Sequence, residues 1–247
     1  MDITSDIHSR HISRQFNQEL EELKTHLMAM GGLVEKQIQE AVAALLEGDS
    51  ALARRVVEND RAVNDMQIKI DEECTQVLAR RQPAASDLRL VLAVIRAASD
   101  LERIGDEASK IARNAGDLIA ADNGTRGFVE VRMISEHVRR MVRDALTSFA
   151  RFDTELALKL VHEDEEVDEE YRTAMRSLMT FMMEDARSIS PILSLMWILR
   201  ALERIGDHAN NLAEYVVYLV KGAGHRPRRW LASLRCPAGG PGDTLSR

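Results

Sequence analysis

The chain has 247 residues and a mass of 27.8 kDa, with 45% apolar, 30% charged and 4% aromatic residues. This composition excludes a disordered chain, a collagen-like chain and a disulfide scaffold. Of its five prolines only Pro83 and Pro191 precede residue 222, and so few turn formers favour long helices. The two cysteines form no CxxC motif, as expected of a reduced, intracellular protein.

Charge and hydropathy restrict the function further. The formal net charge is −7, and residues 223–247 hold five Arg and one Asp, so the remainder carries about −11. This body suits cations or basic protein surfaces rather than nucleic acid, whose phosphates need a basic partner. No clean apolar run is longer than the six residues of Leu90–Ile95, far below the ~20 residues of a membrane span, and the start lacks a signal-peptide core. We expect a cytoplasmic protein that meets membranes only peripherally, through partners.

Hydrophobic periodicity predicts six long helices. In chain order, the predicted spans are 12–46, 50–81, 85–119, 128–150, 154–187 and 191–221. Asp49 and Asp153 are expected to cap the second and fifth helices, since aspartate accepts hydrogen bonds from first-turn amides. Ser190 followed by Pro191 combines a cap with proline at the first helical position.

An internal duplication divides the chain. DLERIGDEASKIA (100–112) matches ALERIGDHANNLA (201–213) at an offset of 101, and VVENDRAVND (56–65) parallels LVHEDEEVDE (160–169) at an offset of 104. Two units of about 100 residues follow from this repetition. Each unit is predicted to hold three helices, and short connections make neighbouring helices antiparallel.

The predicted fold is therefore all-α, with two pseudo-symmetric three-helix bundles. The first covers residues 8–122 and the second residues 126–222, with Asn123-Gly124 and Gly127 marking the break. Residues 223–247 hold four glycines and three prolines and are expected to be mostly disordered. We assign this tail no function.

Each copy of LERIGD carries two acidic residues four positions apart. Glu102 and Asp106, like Glu203 and Asp207, are predicted to lie together, away from the apolar stripe of their helix. The stripes are Leu101, Ile104, Ala108 and Ile111, and Leu202, Ile205, Ala209 and Leu212. Like charges at this spacing cost roughly 0.2–0.5 kcal/mol, so their repetition suggests that something offsets the repulsion. The alternative is a solvated face relieved by Arg103, Lys110 and Arg204.

A second acidic element lies on the preceding helix of each unit. Asp60 and Asp164 sit in or beside apolar stripes, formed by Val56, Val63, Ile70 and Cys74 and by Leu160, Val167, Ala174 and Leu178. Asp168 extends the second motif, where the first has Asn64. Counting residues from turns near 84 and 188 places these side chains level with the LERIGD acids. Four carboxylate or amide groups at one height resemble a site for a hard cation, or for Mn, Fe or Mg. Interhelical pairing with Arg103 and Arg204 is the structural alternative.

Three further features bear on function. Gly105 and Gly206 are mid-helix glycines, each costing about 0.8–1.0 kcal/mol relative to Ala, which suggests close packing of a neighbouring group. His208 follows Asp207 and is expected to be a solvated helix residue rather than an accessory ligand. ExxH, HExxH, GxxxxGK[ST] and GxSxG motifs are absent, as is a nucleophile with an adjacent base, so an enzyme is disfavoured.

At LERIGD, twice, the chain resembles the PhoU family of phosphate-transport regulators. The resemblance covers residues of about 8–222 and continues through five further segments. These are HISRQFNQEL (11–20), MGGLVEKQI (30–38), ARRQPAASDLRLV (79–91), LMTFMMEDARSI (178–189) and ERIGDHANN…YLVKG (203–222). The family usually continues with an acidic helical end, which the tail of this chain does not match.

The resemblance implies E/DxxxD motifs that bind multinuclear metal clusters on the bundle surface. The metals would be divalent or trivalent ions such as Mn, Mg, Fe or Zn. Carried over residue by residue, the ligands are Asp60, Asn64, Glu102, Asp106, Asp164, Asp168, Glu203 and Asp207. Asn64 departs from the acidic pattern and puts full occupancy of the first site in doubt.

The resemblance also implies a non-enzymatic, homodimeric negative regulator of phosphate uptake and of the bacterial phosphate-starvation (Pho) regulon. Such a regulator links the ATPase of the phosphate ABC transporter to a membrane sensor histidine kinase when phosphate is plentiful. Asp87 and Arg151 fall in family-like segments and are expected partner contacts. The alternatives are a metal-dependent enzyme built on the carboxylates and a purely structural helical interaction module.

Overall fold

Six α-helices form the computed structural model, which describes residues 3–83, 85–121 and 128–222. Their bounds are α1 Ile3–Glu47, α2 Ser50–Arg81, α3 Ala85–Ala120, α4 Phe128–Arg151, α5 Thr154–Glu184 and α6 Ile189–Lys221, with a 3-10 turn at Ala186–Ser188. No strand occurs among the described residues. The all-α prediction is confirmed.

The helices pack as two three-helix bundles. The first bundle comprises α1, α2 and α3, and the second α4, α5 and α6, with every helix contacting both others of its bundle. The bundles meet through α3 against α6, the most extensive contact between any two helices, and through α1 against α4. The helices that carry the two LERIGD motifs therefore lie side by side at the centre of the molecule.

The apolar stripes read from the sequence form the core. All eight stripe residues of α3 and α6 named above are buried, as are the eight on α2 and α5. Helices that are apolar on one face bury that face against neighbours, and α3 and α6 bury the most because each touches helices of both bundles.

The predicted helix starts are correct at two of the three proposed caps. The Asp49 carboxylate accepts hydrogen bonds from the amides of Ala51 and Leu52, both at 2.9 Å. Asp153 caps α5 in the same way. These contacts satisfy first-turn amides that have no partner within the helix.

The third cap is wrong by two residues. Helix α5 ends at Glu184 rather than 187, and α6 begins at Ile189 after Ser188, which makes no side-chain cap. The Ser188 hydroxyl instead donates to the Asp185 carbonyl at 2.6 Å and closes the 3-10 turn. Pro191 is tolerated because first-turn amides have no helical acceptor.

Two predictions concern residues outside the described ranges. The break at Asn123-Gly124 and Gly127 lies in the gap between 121 and 128, and the tail 223–247 lies beyond the last described residue. Among the helices described, none combines the length and apolar character needed to cross a membrane.

Candidate functional site

The first acidic cluster, Asp60, Asn64, Glu102 and Asp106, lies where α2 packs against α3. Burial raises the pKa of Glu102, and the charges of Asp106 and Asp60 raise it further. The charge of Asp60, on the neighbouring helix α2, therefore acts on the acidic pair of α3. The Asn64 Oδ1 is buried and makes no hydrogen bond within the described residues.

The second acidic cluster, Asp164, Asp168, Glu203 and Asp207, lies between α5 and α6. Glu203 is only 9% exposed, and burial raises its pKa, with further upward contributions from Asp207, Asp168 and Asp164. The Arg200 guanidinium donates to Glu203 Oε1 at 2.5 Å and opposes this rise. Glu203 Oε2 is buried without a hydrogen-bond partner in the described part of the chain.

The glycine of each LERIGD motif faces the acidic residue from the neighbouring helix. A Cβ at Gly105 would lie 3.5 Å from Asp60 Oδ1 and 3.3 Å from Val63 Cγ1. At Gly206 the corresponding distances are 3.9 Å to Asp164 Oδ1 and 3.6 Å to Val167 Cγ1. The close packing predicted for both glycines is therefore present at Gly105, whereas Gly206 makes only ordinary van der Waals contacts.

Two amide side chains complete the clusters and were missed from the sequence. Gln37 on α1 donates from Nε2 to Asp60 Oδ1, and Asn210 on α6 donates from Nδ2 to Asp164 Oδ2, both at 2.8 Å. Both amides are 5% exposed. The sequence offered no signal for these two residues beyond their amide side chains, because the acidic motifs contain only the charged positions and Asn64.

The basic residues pair differently from the structural alternative. Arg204 and Lys110 both contact Glu107 Oε1, at 3.1 and 2.9 Å. Arg103 is exposed and lowers the pKa of Glu102 through its charge. Asp168 pairs with Arg172 at 3.1 Å.

The side-chain oxygens of the clusters are of the type that hard cations prefer, but they are not already arranged around a cation position. Within the described residues, no group of three His, Cys, Asp or Glu side chains is placed so that it could hold a metal ion. The available donors are carboxylate and amide oxygens, the ligands that Mg²⁺, Ca²⁺ and Mn²⁺ prefer. Glu203 Oε2 and Asn64 Oδ1, buried and unpartnered as described, are oxygens that a cation could satisfy.

A buried polar network joins α3 to α6. Asp100, 6% exposed, accepts hydrogen bonds from His208 Nδ1 at 2.8 Å, Asn211 Nδ2 at 3.2 Å and the Tyr215 hydroxyl at 2.6 Å. The prediction that His208 is a solvated residue is wrong, because its side chain is buried between the bundles. Position 201, equivalent to Asp100, is Ala, so the internal repeat did not reveal this network.

The two predicted partner contacts lie in different bundles, Asp87 on α3 and Arg151 on α4. Asp87 is half-buried in the first turn of α3, just after Arg81, which pairs with Glu19 at 2.6 Å. Arg151 is exposed at the end of α4, beside Phe152, whose ring lies 5.0 Å from Lys24 Nζ. No described contact joins Asp87 to Arg151.

The structure also has a groove of about 660 Å³ between α4 and α5, away from the acidic clusters. The side chains of Val129 and Met133 in it are 69% and 59% exposed. Its charged lining is acidic and consists of Glu130, Glu166, Glu169 and Glu170, and Thr173 and Ser177 add hydroxyl groups. Neither acidic cluster contributes a lining residue.

Comparison with known proteins is consistent across sequence and structure. The PhoU domain model matches residues 27–115 and 131–216. The phosphate-specific transport system accessory protein PhoU homolog of Pseudomonas putida is 60% identical over 87% of this chain and 84% of its own length. The accessory protein PhoU of Escherichia coli (strain K12) is 44% identical over 88% of this chain and 90% of its own.

Two solved structures have the same architecture. The crystal structure of PhoU from Pseudomonas aeruginosa superposes with a TM-score of 0.82 at 57% identity, covering 84% of this chain and all of the other. The phosphate transport system regulatory protein PhoU from Streptococcus pneumoniae superposes with a TM-score of 0.77 at 29% identity, covering 83% and 96%. Similarity thus extends over both bundles.

Proposed function

The chain belongs to the PhoU family, and from this membership we propose that it is the accessory protein of a bacterial phosphate-specific transport system. In this role it is a negative regulator of phosphate uptake and of the phosphate-starvation regulon. The observation that carries the proposal is the match of both bundles to the PhoU domain, together with relatives named as accessory proteins that align over nearly their whole length.

We further propose that the protein acts as a cytoplasmic, homodimeric adaptor rather than as an enzyme. Its partners would be the ATPase of the phosphate ABC transporter and a sensor histidine kinase. A rigid helical body without a catalytic motif supports this role, because binding surfaces can be carried on helix faces without any chemical step. Asp87 and Arg151 are the proposed partner contacts.

Each acidic cluster is proposed to bind divalent or trivalent cations, such as Mn, Mg, Fe or Zn. The ligands would be Asp60, Asn64, Glu102 and Asp106 in the first cluster, and Asp164, Asp168, Glu203 and Asp207 in the second. A cation would offset the repulsion that raises the pKa of Glu102 and of Glu203. It would supply positive charge to an acidic surface and thereby change what that surface attracts.

Gene deletion tests the regulatory role. Without the protein, a phosphate-starvation promoter should be active in high phosphate, and the wild-type gene should restore repression. Tagged protein should retain the transporter ATPase or the kinase from cells grown in high phosphate. An unchanged promoter in the deletion strain would overturn the proposed function.

Elemental analysis tests cation binding separately. Purified protein dialysed against Mn²⁺ should retain metal, and Glu203→Gln/Asp207→Asn should lose the part held by the second cluster. Glu21→Gln/Glu22→Gln is the matched control, because it removes two exposed acidic charges from α1. Equal retention by all three proteins would contradict specific binding at the cluster.

A further inference from the structure

The amide side chains of Gln37 and Asn210 occupy corresponding chemical positions in the two bundles. Each is 5% exposed and donates its N–H to the aspartate of its cluster, Asp60 or Asp164, at 2.8 Å. The carbonyl oxygen of each amide, Gln37 Oε1 and Asn210 Oδ1, is buried and has no hydrogen-bond partner in the described chain. An amide therefore joins the acidic residue on one side and leaves an unsatisfied acceptor on the other.

The two amides come from different helices. The offset of 101 pairs Gln37 on α1 with Val138 on α4, and the structure agrees. A Cβ at Gly105 would contact Gln37 in addition to Asp60 and Val63. A Cβ at Gly206 would contact Val138 in addition to Asp164 and Val167.

The amide of the second bundle likewise has no amide at the equivalent position of the first, because the same offset pairs Asn210 on α6 with Ser109 on α3. The Ser109 Oγ is buried and makes no hydrogen bond among the described residues. Each bundle thus has one amide at its aspartate, supplied by the first helix in one bundle and by the third helix in the other. An amide lost from one position is replaced at the other, which points to a requirement of the cluster rather than of either helix.

An amide bound to a carboxylate through N–H restrains the rotamer of that carboxylate, and its own carbonyl oxygen lies on the other side of the shared amide carbon. The nitrogen and oxygen share one carbon, so the unpartnered oxygen of Asn210 lies within a few ångström of Asp164. A buried carbonyl without a partner is unfavourable. Amide carbonyl oxygens are common ligands of hard cations, so a bound cation would satisfy it.

We propose that Gln37 and Asn210 are the amide members of the two cation sites. Each holds its aspartate through N–H and presents its carbonyl oxygen to the bound ion. The inference rests on the proposed cation binding and adds to it two residues outside the E/DxxxD motifs. It also makes the first cluster dependent on three helices, since Gln37 comes from α1.

Calorimetric titration of the metal-free protein with Mn²⁺ tests the proposal, with bound metal counted by elemental analysis. Gln37→Val should weaken binding at the first cluster, and Asn210→Ser at the second, each by about 10–100-fold, as losses of residues that orient ligands do. Each variant should leave the other cluster unchanged. Gln18→Val is the control, because Gln18 makes the same kind of amide–carboxylate bond, to Glu22, on the exposed face of α1.

Two exchange variants separate this role from a structural one. Gln37→Val/Ser109→Asn gives the first cluster the arrangement of the second, and Val138→Gln/Asn210→Ser does the reverse. Each should recover the affinity lost by its single variant, which a general loss of stability would not allow. Thermal unfolding of the metal-free proteins identifies any variant that fails to fold. If an exchange variant fails to fold, the Mn²⁺ affinities of Gln37→Val and Asn210→Ser decide whether the amides bind the ion.

The outcomes distinguish the two proposals. Wild-type protein that binds no Mn²⁺ overturns cation binding itself, and this inference with it. Wild-type protein that binds Mn²⁺ at both clusters, with Gln37→Val and Asn210→Ser binding equally well, overturns the role of the amides alone. Single variants that lose affinity and exchange variants that regain it support the proposal.

Discussion

Gly105 and Gly206 each lie against an aspartate and a valine of the neighbouring helix. Each allows an aspartate and a valine of the adjacent helix to approach the α3 or α6 backbone. The packing around them differs, however, because Gln37 adds a third close neighbour only at Gly105. The same motif is therefore under different steric constraint in its two copies.

Alanine substitution should expose this difference. At Gly206 the new Cβ meets atoms no closer than 3.6 Å, so Gly206→Ala should gain about 0.5–1 kcal/mol from helix propensity. At Gly105 it would lie 3.2 Å from Gln37 Oε1, so Gly105→Ala should lose this gain, ending about 1 kcal/mol less stable than Gly206→Ala. Urea unfolding measures both, with Gly116→Ala, which has open space, as the control. Equal stabilities at 105 and 206 would contradict the steric argument.

The raised pKa of Glu203 has a consequence for stability. Its cause is chiefly burial, then the charge of Asp207. An acid with a folded-state pKa above its unfolded value destabilises the fold while ionised. That penalty is fully present above the folded pKa and is relieved as pH falls towards the unfolded value near 4.5.

Glu203→Gln should therefore stabilise the metal-free protein at neutral pH, and the gain should shrink as pH falls. The amide removes the charge and keeps the shape, although it also weakens the contact with Arg200. Chemical unfolding at several pH values in the presence of a chelator measures this effect. The exposed Glu58 provides the control variant Glu58→Gln. A stabilisation that grows on acidification would contradict the assigned direction.

At the level of elements, α3 and α6 form the joint between the bundles. Their contact is polar in part, with Asp100 accepting three hydrogen bonds from α6. Burial, followed by the hydrogen bond to Asp100, raises the pKa of Tyr215, so the phenol remains a donor at neutral pH. Glu107 makes a second polar contact across the same joint, to Arg204.

Asp100→Ala should destabilise the protein more than Tyr215→Phe. The first leaves one buried donor, His208, and two half-buried donors without an acceptor and should cost about 2–4 kcal/mol, whereas the second removes one donor and should cost about 0.5–1.5 kcal/mol. Denaturant unfolding followed by circular dichroism gives both values. Equal costs would mean that the His208 and Asn211 bonds to Asp100 contribute little.

At the scale of the whole molecule, Cys74 reports on global unfolding. It is fully buried in α2, and burial, with the charges of Asp71 and Glu73, raises the pKa of its thiol to about 12. The reactive form of cysteine is the thiolate, which is therefore scarce in the folded state. Access to this thiol requires separation of the first bundle.

In a Cys236→Ser background, Cys74 should resist alkylation by iodoacetamide in the folded protein. As urea is added, its labelling rate should rise with the fraction unfolded measured by circular dichroism, because Cys74 is fully buried in the hydrophobic core. Fully denatured protein is the positive control. Rapid labelling below the unfolding transition would indicate local opening of α2.

Much of the architecture follows from local information in the chain. Apolar spacing predicts the six helices and their buried faces, and aspartates at positions 49 and 153 predict two helix starts. These features depend on residues within one or two turns, so a single sequence contains them. The end of α5 at Glu184 escaped prediction because the 3-10 turn at Ala186–Ser188 continues a helix-like pattern.

The sequence by itself determined the helices, the duplication and the four positions assigned to each cluster, which are all acidic in the second cluster and include Asn64 in the first. Only the tertiary structure decided which residues meet across helices: Gln37 with Asp60, Arg204 with Glu107, and Asp100 with His208. The physical reason is that periodicity specifies the buried face of each helix. Partners depend on the relative rotation and axial position of packed helices, which are set by the whole core.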